Sequence, residues 1–497
     1  MTSEVRGPSL ERCGASPAVD ARETHISVLY FGADRVYKLL KPVRTAYLDH
    51  STADRRIRAI AAELELNRRF SPDVYLGTAD IREGDELVDA ALVMRRLPDA
   101  RRLPALLDGP LADDHLRQVA HRIAAVHASA APAAAGHPMT TAAGLLALWE
   151  SSFTDIAPHV GSVIEPDEFD RVQHLARTYL AHSTWLFDDR RRRGLMRDGH
   201  GDLTAEDIFM LDDGPRILDC LAFDEDLRIS DVLADIAFLV MDVERLTDAE
   251  RARRLLRYYC ELTDEHHPAS LAHHYVGYRA HVRAKVALLR HAQGDAGSAG
   301  AAVRYHQQAL DHLGRARRRL VLVGGGPGTG KTTVARAVAD AMNWAVVDSD
   351  TLRKDLRRID HGDHHVERHP DLYDRATTDA TYAGLCREAG VLLRSGESVV
   401  VDATWADASH RQLARQVALE QGAELVALEC RLSPDTASDR IRARLERDDD
   451  ASDATPEIVA SLFGLRQAWP EAHVVRTEGL EVAVVAEAVA FVRDAIA

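Results

Sequence analysis

A glycine-rich segment after a short apolar run constrains this 497-residue chain more than any other feature. Residues 320–323 are apolar, and the pattern G-x-x-x-x-G-K-[ST] follows as Gly325, Gly330, Lys331 and Thr332. Glycines permit a tight turn, in which successive backbone N–H groups surround a phosphate at the start of the next helix. Apolar positions after Lys331 recur at helical spacing. The order strand, loop, helix therefore predicts a nucleotide site rather than an ordinary glycine-rich turn.

Each part of this loop has an expected role. Lys331 supplies a point charge for the β and γ phosphates, and the Thr332 hydroxyl joins the coordination shell of Mg²⁺. The predicted cofactors are ATP and Mg²⁺. The residues expected to contact the nucleotide here are Gly325, Gly326, Pro327, Gly328, Thr329, Gly330, Lys331, Thr332 and Thr333.

Acidic residues follow two later apolar runs, and the alternation of strands and helices predicts a parallel sheet. In such a sheet the carboxyl ends of the strands face the phosphate site. We predict that Asp350 takes a proton from a substrate hydroxyl, that Arg353 holds an acidic substrate group, and that Asp402 serves Mg²⁺ through water. Asp348 has an equal alternative as the cap of the next helix.

An arginine-rich helix follows these strands. Arg440 and Arg444 are candidates for a lid that covers the transferring phosphoryl group, although a solvated helix face is the alternative. A histidine group without regular ligand spacing is expected to be a solvated loop, with substrate contact left open. It consists of His361, His364, His365 and His369.

The first half of the chain contains a second candidate nucleotide site. Lys38 lies in the second of two strand-like runs that flank a glycine-containing turn, and Glu63 lies in helical sequence between residues 51 and 70. A strand lysine followed by a helix glutamate is the ion pair that positions ATP phosphates in protein kinases. Met94 ends another apolar run, which is either the hinge strand beside an adenine ring or a plain sheet strand.

The segment after Asp198 carries the spacing of a kinase catalytic loop. His200, Asp202 and Asp207 reproduce the order His, Asp two residues later, and a metal ligand five residues after that. Asp219 ends a short apolar run further on. We expect Asp202 to orient the acceptor hydroxyl and take its proton, while Asp207 and Asp219 hold Mg²⁺.

With these motifs, residues 24–290 resemble the aminoglycoside phosphotransferase and choline kinase group. Residues 319–497 resemble P-loop kinases of the gluconate kinase, polynucleotide kinase and zeta-toxin type. The order of the two parts is similar to that of bacterial proteins that fuse such modules. The resemblance implies an N-terminal α+β, bilobal, protein-kinase-like domain and a C-terminal α/β P-loop NTPase domain, hence an α/β chain overall.

The expected boundaries are residues 1–296 for the first domain, with an N lobe at about 24–100 and a C lobe at about 101–296. A helical linker at 297–318 and a P-loop domain at 319–497 follow. The implied function is transfer of the ATP γ-phosphoryl group to a hydroxyl of a small molecule: a sugar, amino sugar or sugar acid. An ATPase that remodels macromolecules fits less well, because no sequence resembles a sensor arginine.

Two positions depart from the resemblance. Asp207 stands where the group usually has Asn, and Thr204 stands where His is common. Aspartate still offers hard oxygen ligands to Mg²⁺, but its negative charge repels phosphate. The alternative function is therefore a nucleotide-binding regulatory protein, in which a degenerate N-terminal kinase controls the P-loop domain.

Composition limits the partners. A net charge of −16 argues against a general nucleic-acid or anionic-membrane binder. No apolar run approaches the ~18 residues of a membrane span, and five dispersed cysteines favour a reducing cytoplasm. The expected partner is a small hydroxyl-bearing substrate, with no nucleic acid and no membrane, and the oligomeric state is left open.

Other polar residues have structural interpretations. His127 is expected to be packed or capping, while Asp231 and Asp235 are expected on a solvated helix face, with the border of the acceptor cleft as the alternative. Adjacent histidines point in different directions on a helix, which favours ordinary surface residues over a metal site. These histidines are His266, His267, His273 and His274.

Overall fold

The computed structural model describes residues 20–24, 26–44, 48–357, 374–445 and 467–495. By the proximity of their Cα atoms, the residues form two compact units that interleave along the chain. The first contains Met1–Leu145, Asp189–His266 and Tyr278–Arg283, and the second contains Leu146–Asp188, His267–Gly277 and Ala284–Ala497. The predicted division at residues 296 and 318 stays a prediction.

The first unit contains an antiparallel five-stranded sheet of order β1-β2-β3-β5-β4. Its strands are β1 (Asp20–Glu23), β2 (Ser27–Phe31), β3 (Arg35–Leu40), β4 (Tyr75–Glu83) and β5 (Glu86–Arg95). The predicted hairpin is present: β2 and β3 pair from Ser27 with Leu40 to Phe31 with Val36. The Gly32 N–H donates to the Arg35 carbonyl at 2.8 Å and closes the turn.

Helix α1 (Ala53–Arg68) crosses this sheet. The Thr52 side chain accepts from the Arg55 N–H and caps the helix, which satisfies one of its unpaired N-terminal donors. Ile60 is fully buried against the sheet residues Tyr75 and Leu92. Burial of this apolar side fixes the helix on the sheet, and Glu63 and Asn67 are buried with it.

The remainder of the first unit is mostly helical. Its elements are α2 (Leu103–Leu106), α3 (Ala112–Ser129), β6 (Met196–Asp198), β7 (Ile208–Leu211), β8 (Gly214–Ile217), β9 (Ile229–Asp231), α7 (Val232–Leu246) and α8 (Ala249–Thr263). β6 pairs with β9 and β7 with β8, both antiparallel. Helix α7 is buried at every position from Val232 to Val243, which agrees with its apolar sequence.

Three helices contribute residues to both units: α4 (Ala142–Ile156), α6 (Thr184–Arg192) and α9 (Ala269–Ala292). The second unit also contains α5 (Pro166–Ala181) and α10 (Ser298–Arg315). Within it, buried Arg318 donates to the carbonyls of Tyr179 and His182 at 3.0 Å and to the Ser183 hydroxyl at 2.8 Å. These bonds join the helices to the sheet that follows.

That sheet is parallel and five-stranded, with order β11-β12-β10-β13-β14. Its strands are β10 (Arg319–Gly325), β11 (Ala345–Asp348), β12 (Val399–Asp402), β13 (Glu424–Arg431) and β14 (His473–Arg476). The helices that accompany it are α11 (Lys331–Met342), α12 (Ser349–Arg357), α13 (Arg375–Arg394), α14 (Ala408–Glu420), α15 (Pro434–Leu445) and α16 (Glu481–Asp494). The predicted α/β class with a parallel sheet is confirmed.

Two apolar cores cover the parallel sheet, one containing Leu320 and Leu322 and the other Val321 and Val323. Alternate residues of β10 therefore point to opposite faces, and both faces are buried. Such burial explains the unbroken apolar run before the glycine-rich loop. No helix that the structure describes is long and apolar enough to cross a membrane.

Candidate nucleotide sites

The first candidate site is centred on Lys38 of β3. Its Nζ lies 2.7 Å from Glu63 Oε1 of α1 and 3.2 Å from Asp219 Oδ1. Burial of the ammonium group opposes its charge, but the carboxylates of Asp219 and Glu63 outweigh this and raise the pKa of Lys38. The Lys38 charge in turn holds the pKa of Asp219 below its usual range. The predicted residues thus meet as an ion-paired triad.

The position of Asp219 is fixed by residues that the sequence did not single out. Its backbone is left-handed, with φ of 63°, and its N–H donates to the Tyr75 hydroxyl at 2.9 Å. The next N–H, of Cys220, donates to Asn67 Oδ1 at 2.8 Å, while Asn67 Nδ2 donates to the Glu63 carbonyl at 2.9 Å. Helix α1 therefore positions Glu63 and Asp219 together.

The loop that carries Asp202 is held in place by hydrogen bonds to Asp235 of α7. Asp235 accepts the His200 N–H at 2.7 Å and the Gly201 N–H at 2.9 Å. His127 Nε2 lies 3.0 Å from the same carboxylate, and its Nδ1 lies 2.8 Å from the Tyr259 hydroxyl. Burial opposes the charge of Asp235, but the hydrogen bond from His127 outweighs it and lowers the pKa of this carboxyl.

This arrangement corrects the expectation for Asp231 and Asp235 and agrees with the expectation for His127. Asp231 and Asp235 are 2% and 1% exposed, so they lie neither on a solvated helix face nor at an open cleft. Asp231 caps α7 through the Leu233 N–H and pairs with buried Arg190. His127, 3% exposed, is packed as expected. Charge at helical spacing does not reveal burial, which explains the error for the two aspartates.

Asp202 is half-buried at the end of this loop. Burial raises the pKa of its carboxyl, while the Arg283 guanidinium acts in the opposite direction. Arg283 Nη1 lies 3.8 Å from Asp202 Oδ1. A raised pKa makes a carboxylate a stronger base for a hydroxyl proton. Buried His200 is structural: its Nε2 lies 2.9 Å from the Leu218 carbonyl, and burial lowers its pKa.

Asp207 and Thr204, the two unusual positions, contact each other. The Thr204 hydroxyl donates to Asp207 Oδ2 at 2.6 Å. Burial and the nearby Asp219 carboxylate raise the pKa of Asp207 to about 8. A bound divalent cation would offset the effect of the Asp219 carboxylate on Asp207, so the donors fit Mg²⁺ held by Asp207 and Asp219.

Met94 lies near the end of β5, is half-buried and pairs with Val36 of β3. It packs against the core that contains Ile60 and Leu92. This places Met94 on the strand next to the one that carries Lys38. Its backbone remains a predicted adenine contact.

The second candidate site is the loop between β10 and α11. Its turn is closed by Thr329, whose hydroxyl donates to the Gly326 carbonyl at 2.7 Å. Gly328 has φ of 73°, and a Cβ there would lie 2.6 Å from the Ala437 carbonyl oxygen. Gly330 has φ of 83° and begins α11. Glycine is therefore favoured by conformation at both positions and required by space at Gly328.

Asp402 ends β12 beside this loop and is paired in register with Val323 of β10 and Asp348 of β11. It is 3% exposed, and its Oδ1 has no hydrogen-bond partner among the described residues. Burial raises its pKa to about 6, against the opposing effects of Lys331 and of a hydrogen bond from Thr332. A buried, unpartnered carboxylate oxygen next to Thr332 fits Mg²⁺ or a water bound to it.

Asp348 is a helix cap: it accepts the N–H groups of Asp350 at 2.8 Å and Thr351 at 3.2 Å. Asp350, the predicted base, instead accepts from Arg353 Nη1 at 2.8 Å. Arg353 was predicted to hold an acidic substrate group, and it holds Asp350 here. The two predicted residues therefore lie together at the carboxyl edge of the sheet, as an ion pair.

Arg440 of α15 lies close to the loop, since a Cβ on Gly330 would be 3.7 Å from Arg440 Nη1. Its Nη2 donates to the Thr477 carbonyl at 2.6 Å. Thr477, buried after β14, was missed because no motif marks it. Arg444 lies in α15, but its side chain is outside the described part of the chain, as are the four histidines between positions 361 and 369.

The histidines of α9 were expected on the surface, and the structure corrects this for His274. That side chain is 0% exposed and stacks on Tyr179 at 4.3 Å between ring centroids. His273 Nδ1 lies 3.0 Å from His312 Nδ1. Within the described ranges, no group of three or more His, Cys, Asp or Glu side chains is arranged to hold a metal. Mg²⁺ at either site would therefore need further oxygen ligands from nucleotide or water.

The geometry and the comparisons with known proteins together define the class of the second half of the chain: a nucleotide-binding, P-loop kinase-like domain. A family model described as an AAA domain matches residues 320–463. The chain is 36% identical over 467 residues to the Mycobacterium tuberculosis protein named Uncharacterized protein Rv2004c, covering 93% of each chain. It belongs to the family of that protein.

Two further comparisons concern parts of the chain. Shikimate kinase of Corynebacterium diphtheriae is 33% identical over 124 residues, which cover 23% of this chain and 70% of that enzyme. A solved structure of the GDP and kanamycin complex of APH(2")-IIia covers 60% of this chain and 96% of its own, with 16% identity and a TM-score of 0.42. The sequence matches support a phosphotransferase.

Proposed function

We propose that the protein is an ATP-dependent phosphotransferase with two ATP-using sites, each of which transfers the γ-phosphoryl group to a hydroxyl of a small molecule. The observation that carries the proposal is the triad of Lys38, Glu63 and Asp219. A half-buried lysine held by a helix glutamate beside a carboxylate meets the requirements for binding both phosphate and metal. The glycine-rich loop with Lys331, Thr332 and Asp402 meets them independently in the second half.

In the first half, Lys38 neutralises phosphate charge, and Asp207 and Asp219 would hold Mg²⁺, which neutralises the phosphate oxygens when bound. Asp202 orients the acceptor hydroxyl and takes its proton, and the raised pKa makes its carboxylate a stronger base. Asp235 fixes the loop that carries this base, through two backbone N–H groups. Catalysis here rests on positioning and charge stabilisation.

In the second half, the backbone N–H groups of the loop and Lys331 bind the phosphates, and Thr332 and Asp402 would hold Mg²⁺ or its bound water. Asp350 is the proposed base for the acceptor hydroxyl. Its pair with Arg353 implies that an acidic substrate group displaces Asp350 from the guanidinium and frees the carboxylate. Arg440 contributes positive charge beside the loop.

The proposed acceptor is a sugar, an amino sugar or a sugar acid, and neither nucleic acid nor a membrane is a proposed partner. A second candidate function is favoured by one observation, the contact of Thr204 with Asp207 and the raised pKa of that carboxyl. A first site that binds Mg²⁺ poorly would bind ATP without transferring phosphate and would act as a regulator of the second half.

The test is transfer of labelled γ-phosphate from ATP to a mixed pool of metabolites, with the intact chain, Asp202→Asn and Lys331→Ala compared. Asp212→Asn is the matched control, since this exposed aspartate pairs only with Arg101 among the described residues. Two products, each lost in a different variant, support two kinases. If only Lys331→Ala abolishes transfer, the first half is a regulator, and if neither variant has an effect, the proposal is wrong.

A further inference from the structure

The first unit contains a cavity of about 650 Å³ that includes none of the residues assigned to nucleotide binding. Its walls come from the segment after α1, from α3, and from the turn and strand of β8, and Leu262 of α8 lies at its edge. This volume is within the range of small-molecule sites, about 300–1,000 Å³. Phe70, Pro72 and Pro215 give it an apolar lining.

Three arginines line the cavity: Arg117, Arg122 and Arg216. Among the described residues only Arg216 pairs with carboxylates, so the lining carries an excess of positive charge. Arg216 donates to Asp73 and Asp213, each at 2.7 Å. Asp73 is already shared with Arg95, at 3.2 Å. Arg117 lies over the Tyr258 ring, with 4.6 Å between its Cζ and the ring centroid, so its partner is aromatic rather than acidic.

Arg122 is the part of the lining best arranged to bind an anion. Its Nε donates to the Phe70 carbonyl at 3.0 Å, and its Nη2 donates to the carbonyls of Phe70 and Arg69. These neutral acceptors fix the guanidinium without cancelling its charge. Among the described residues, no carboxylate pairs with it and its Nη1 has no hydrogen-bond partner. Burial and nearby Arg216 lower the pKa of Arg122, and the Asp73 carboxylate acts in the opposite direction without outweighing them.

We propose that this cavity binds a small organic anion with one carboxylate-like charge on an apolar body, and that its occupancy changes ATP affinity at the first site. The charge is met by Arg122 with Arg117, and the apolar body by Phe70, Pro72 and Leu262. Asp73 and Asp213 line the same cavity, and their carboxylates would repel each further negative charge, which favours a monoanion over a multiply charged phosphate ester. The regulatory part rests on the proposed function of the first half.

The walls of the cavity are connected directly to the nucleotide-binding residues. The Phe70 ring meets the His200 ring edge-on at 4.9 Å between centroids, and His200 begins the loop that carries Asp202. The Ser71 hydroxyl donates to the Ile217 carbonyl at 2.8 Å and accepts the Ile217 N–H at 2.9 Å. Ile217 follows Arg216 and lies two residues before Asp219, so a shift of this wall moves the proposed metal ligand.

The probe is 8-anilinonaphthalene-1-sulfonate, a monoanion on an aromatic body, titrated into the full chain with saturating Mg²⁺ and a non-hydrolysable ATP analogue, which occupies the nucleotide sites. We expect saturable one-to-one binding. Arg122→Gln should weaken it about tenfold, since a charge-assisted bond is lost. Leu262→Asp, at a position 46% exposed and therefore tolerant, should weaken it similarly through charge repulsion.

The matched control is Arg82→Gln, which removes an arginine that pairs with Asp80 outside the cavity. It should leave probe affinity unchanged. If Arg122→Gln and Leu262→Asp bind the probe as the intact chain does, the proposed site is wrong. Leu262→Asp decides the matter if Arg122→Gln does not fold.

The regulatory part is tested by ATP affinity in the Lys331→Ala variant, so that the first site alone is measured. The probe should change that affinity by at least about fivefold, the lower range of allosteric coupling. If the probe binds without changing ATP affinity, the proposed regulation is wrong and the proposed binding site stands. Absence of any ATP binding in this variant would instead contradict the proposed function of the first half, while the probe titrations would still decide the cavity.

Discussion

The two candidate nucleotide sites are built in opposite ways. The P-loop site is local: one backbone segment from Gly325 to Lys331 forms most of it, and its glycines have the conformation that the loop requires. The first site joins side chains that are distant in sequence, with Lys38 and Asp219 separated by 181 positions. A local site depends on backbone shape, whereas a distributed site depends on ion pairs and anchors that hold separate segments together.

The largest expected difference concerns the Lys38 pair. Lys38→Met leaves the Glu63 carboxylate, 8% exposed, without its partner. Breaking a buried pair in this way costs about 3–5 kcal/mol. We therefore expect the free energy of opening of α1, measured by hydrogen exchange in the full chain, to fall by that amount. Lys331→Met, in the local site, should change the opening of neighbouring α11 far less, because the backbone forms that loop.

The double variant Lys38→Met with Glu63→Gln separates charge from packing. It should recover much of the lost protection, since no unpaired charge is then buried. Equal losses in the single and double variants would contradict the view that the ion pair holds this site together.

The next largest effect is expected at Asp235, which anchors the loop that carries Asp202. Asp235→Asn keeps the size of the side chain but offers one oxygen to the N–H groups of His200 and Gly201, and it weakens the contact with His127. Hydrogen bonds to charged groups contribute about 1.5–3 kcal/mol each. Amide exchange in the peptide around residues 196–204 should therefore accelerate by roughly tenfold to a hundredfold.

Asp242→Asn is a suitable control, because Asp242 accepts only the Ala205 N–H of this loop, at 3.0 Å. Asp242→Asn should accelerate amide exchange at His200 and Gly201 less than Asp235→Asn does. Faster exchange there in Asp242→Asn than in Asp235→Asn would disagree with the role assigned to Asp235.

The P-loop site should lose MgATP affinity when a single methyl group is added to its loop. Gly328→Ala places a Cβ 2.6 Å from the Ala437 carbonyl oxygen at φ of 73°. A strained left-handed residue costs about 1–3 kcal/mol, which corresponds to roughly 5- to 150-fold in affinity. We expect MgATP affinity at the second site to fall within this range by calorimetry in the Lys38→Met background, which removes the first site.

The control is Gly314→Ala in α10, where an added Cβ has no atom within 4 Å. It should leave affinity unchanged and stabilise the helix slightly, by about 0.5–1 kcal/mol. Normal affinity in Gly328→Ala would show that the loop adapts and that its glycine is not required.

The same contrast explains what the sequence could predict. The P-loop, its flanking strand and helix, and the parallel sheet are encoded by adjacent residues, so pattern and spacing were sufficient. In the first site the pair of Lys38 with Glu63 was also predicted, because the two residues occur in the order of the kinase motifs, whereas Asp219 was predicted as a metal ligand and its contact with Lys38 was not. Their roles in binding and catalysis stay predictions.

What could not be predicted depends on tertiary contacts. Asp235 was assigned to a solvated face or cleft border because a helical pattern does not reveal which polar residue is buried to accept backbone N–H groups. Asn67 and Tyr75, which hold Cys220 and Asp219 in place, have no motif. The pair of Asp350 with Arg353 was missed because each residue was considered alone.

The last prediction concerns Asp207 and the pH dependence of stability. Burial and Asp219 raise its folded-state pKa to about 8, whereas an unfolded aspartate titrates near pH 4. Between these values the folded state binds the extra proton, so this group lowers the stability of the nucleotide-free protein as pH rises from 4 to 8 and has no further effect above 8. Asp207→Asn should remove that part of the pH dependence, measured by thermal unfolding without Mg²⁺ at pH 6, 7 and 8.

Mg²⁺ must displace the same proton, so its affinity at the first site should rise with pH, by at most about tenfold per unit for one proton. The Lys331→Ala background with a non-hydrolysable ATP analogue isolates this site for calorimetry. When Asp207→Asn is added to that background, the affinity should vary little between pH 6 and 8, since an amide does not titrate there. The same slope in both proteins would assign the titrating group elsewhere and would leave Asp207 without a role in metal binding. If Asp207→Asn instead removes the pH dependence of Mg²⁺ affinity, Asp207 is the group through which metal binding at the first site depends on pH.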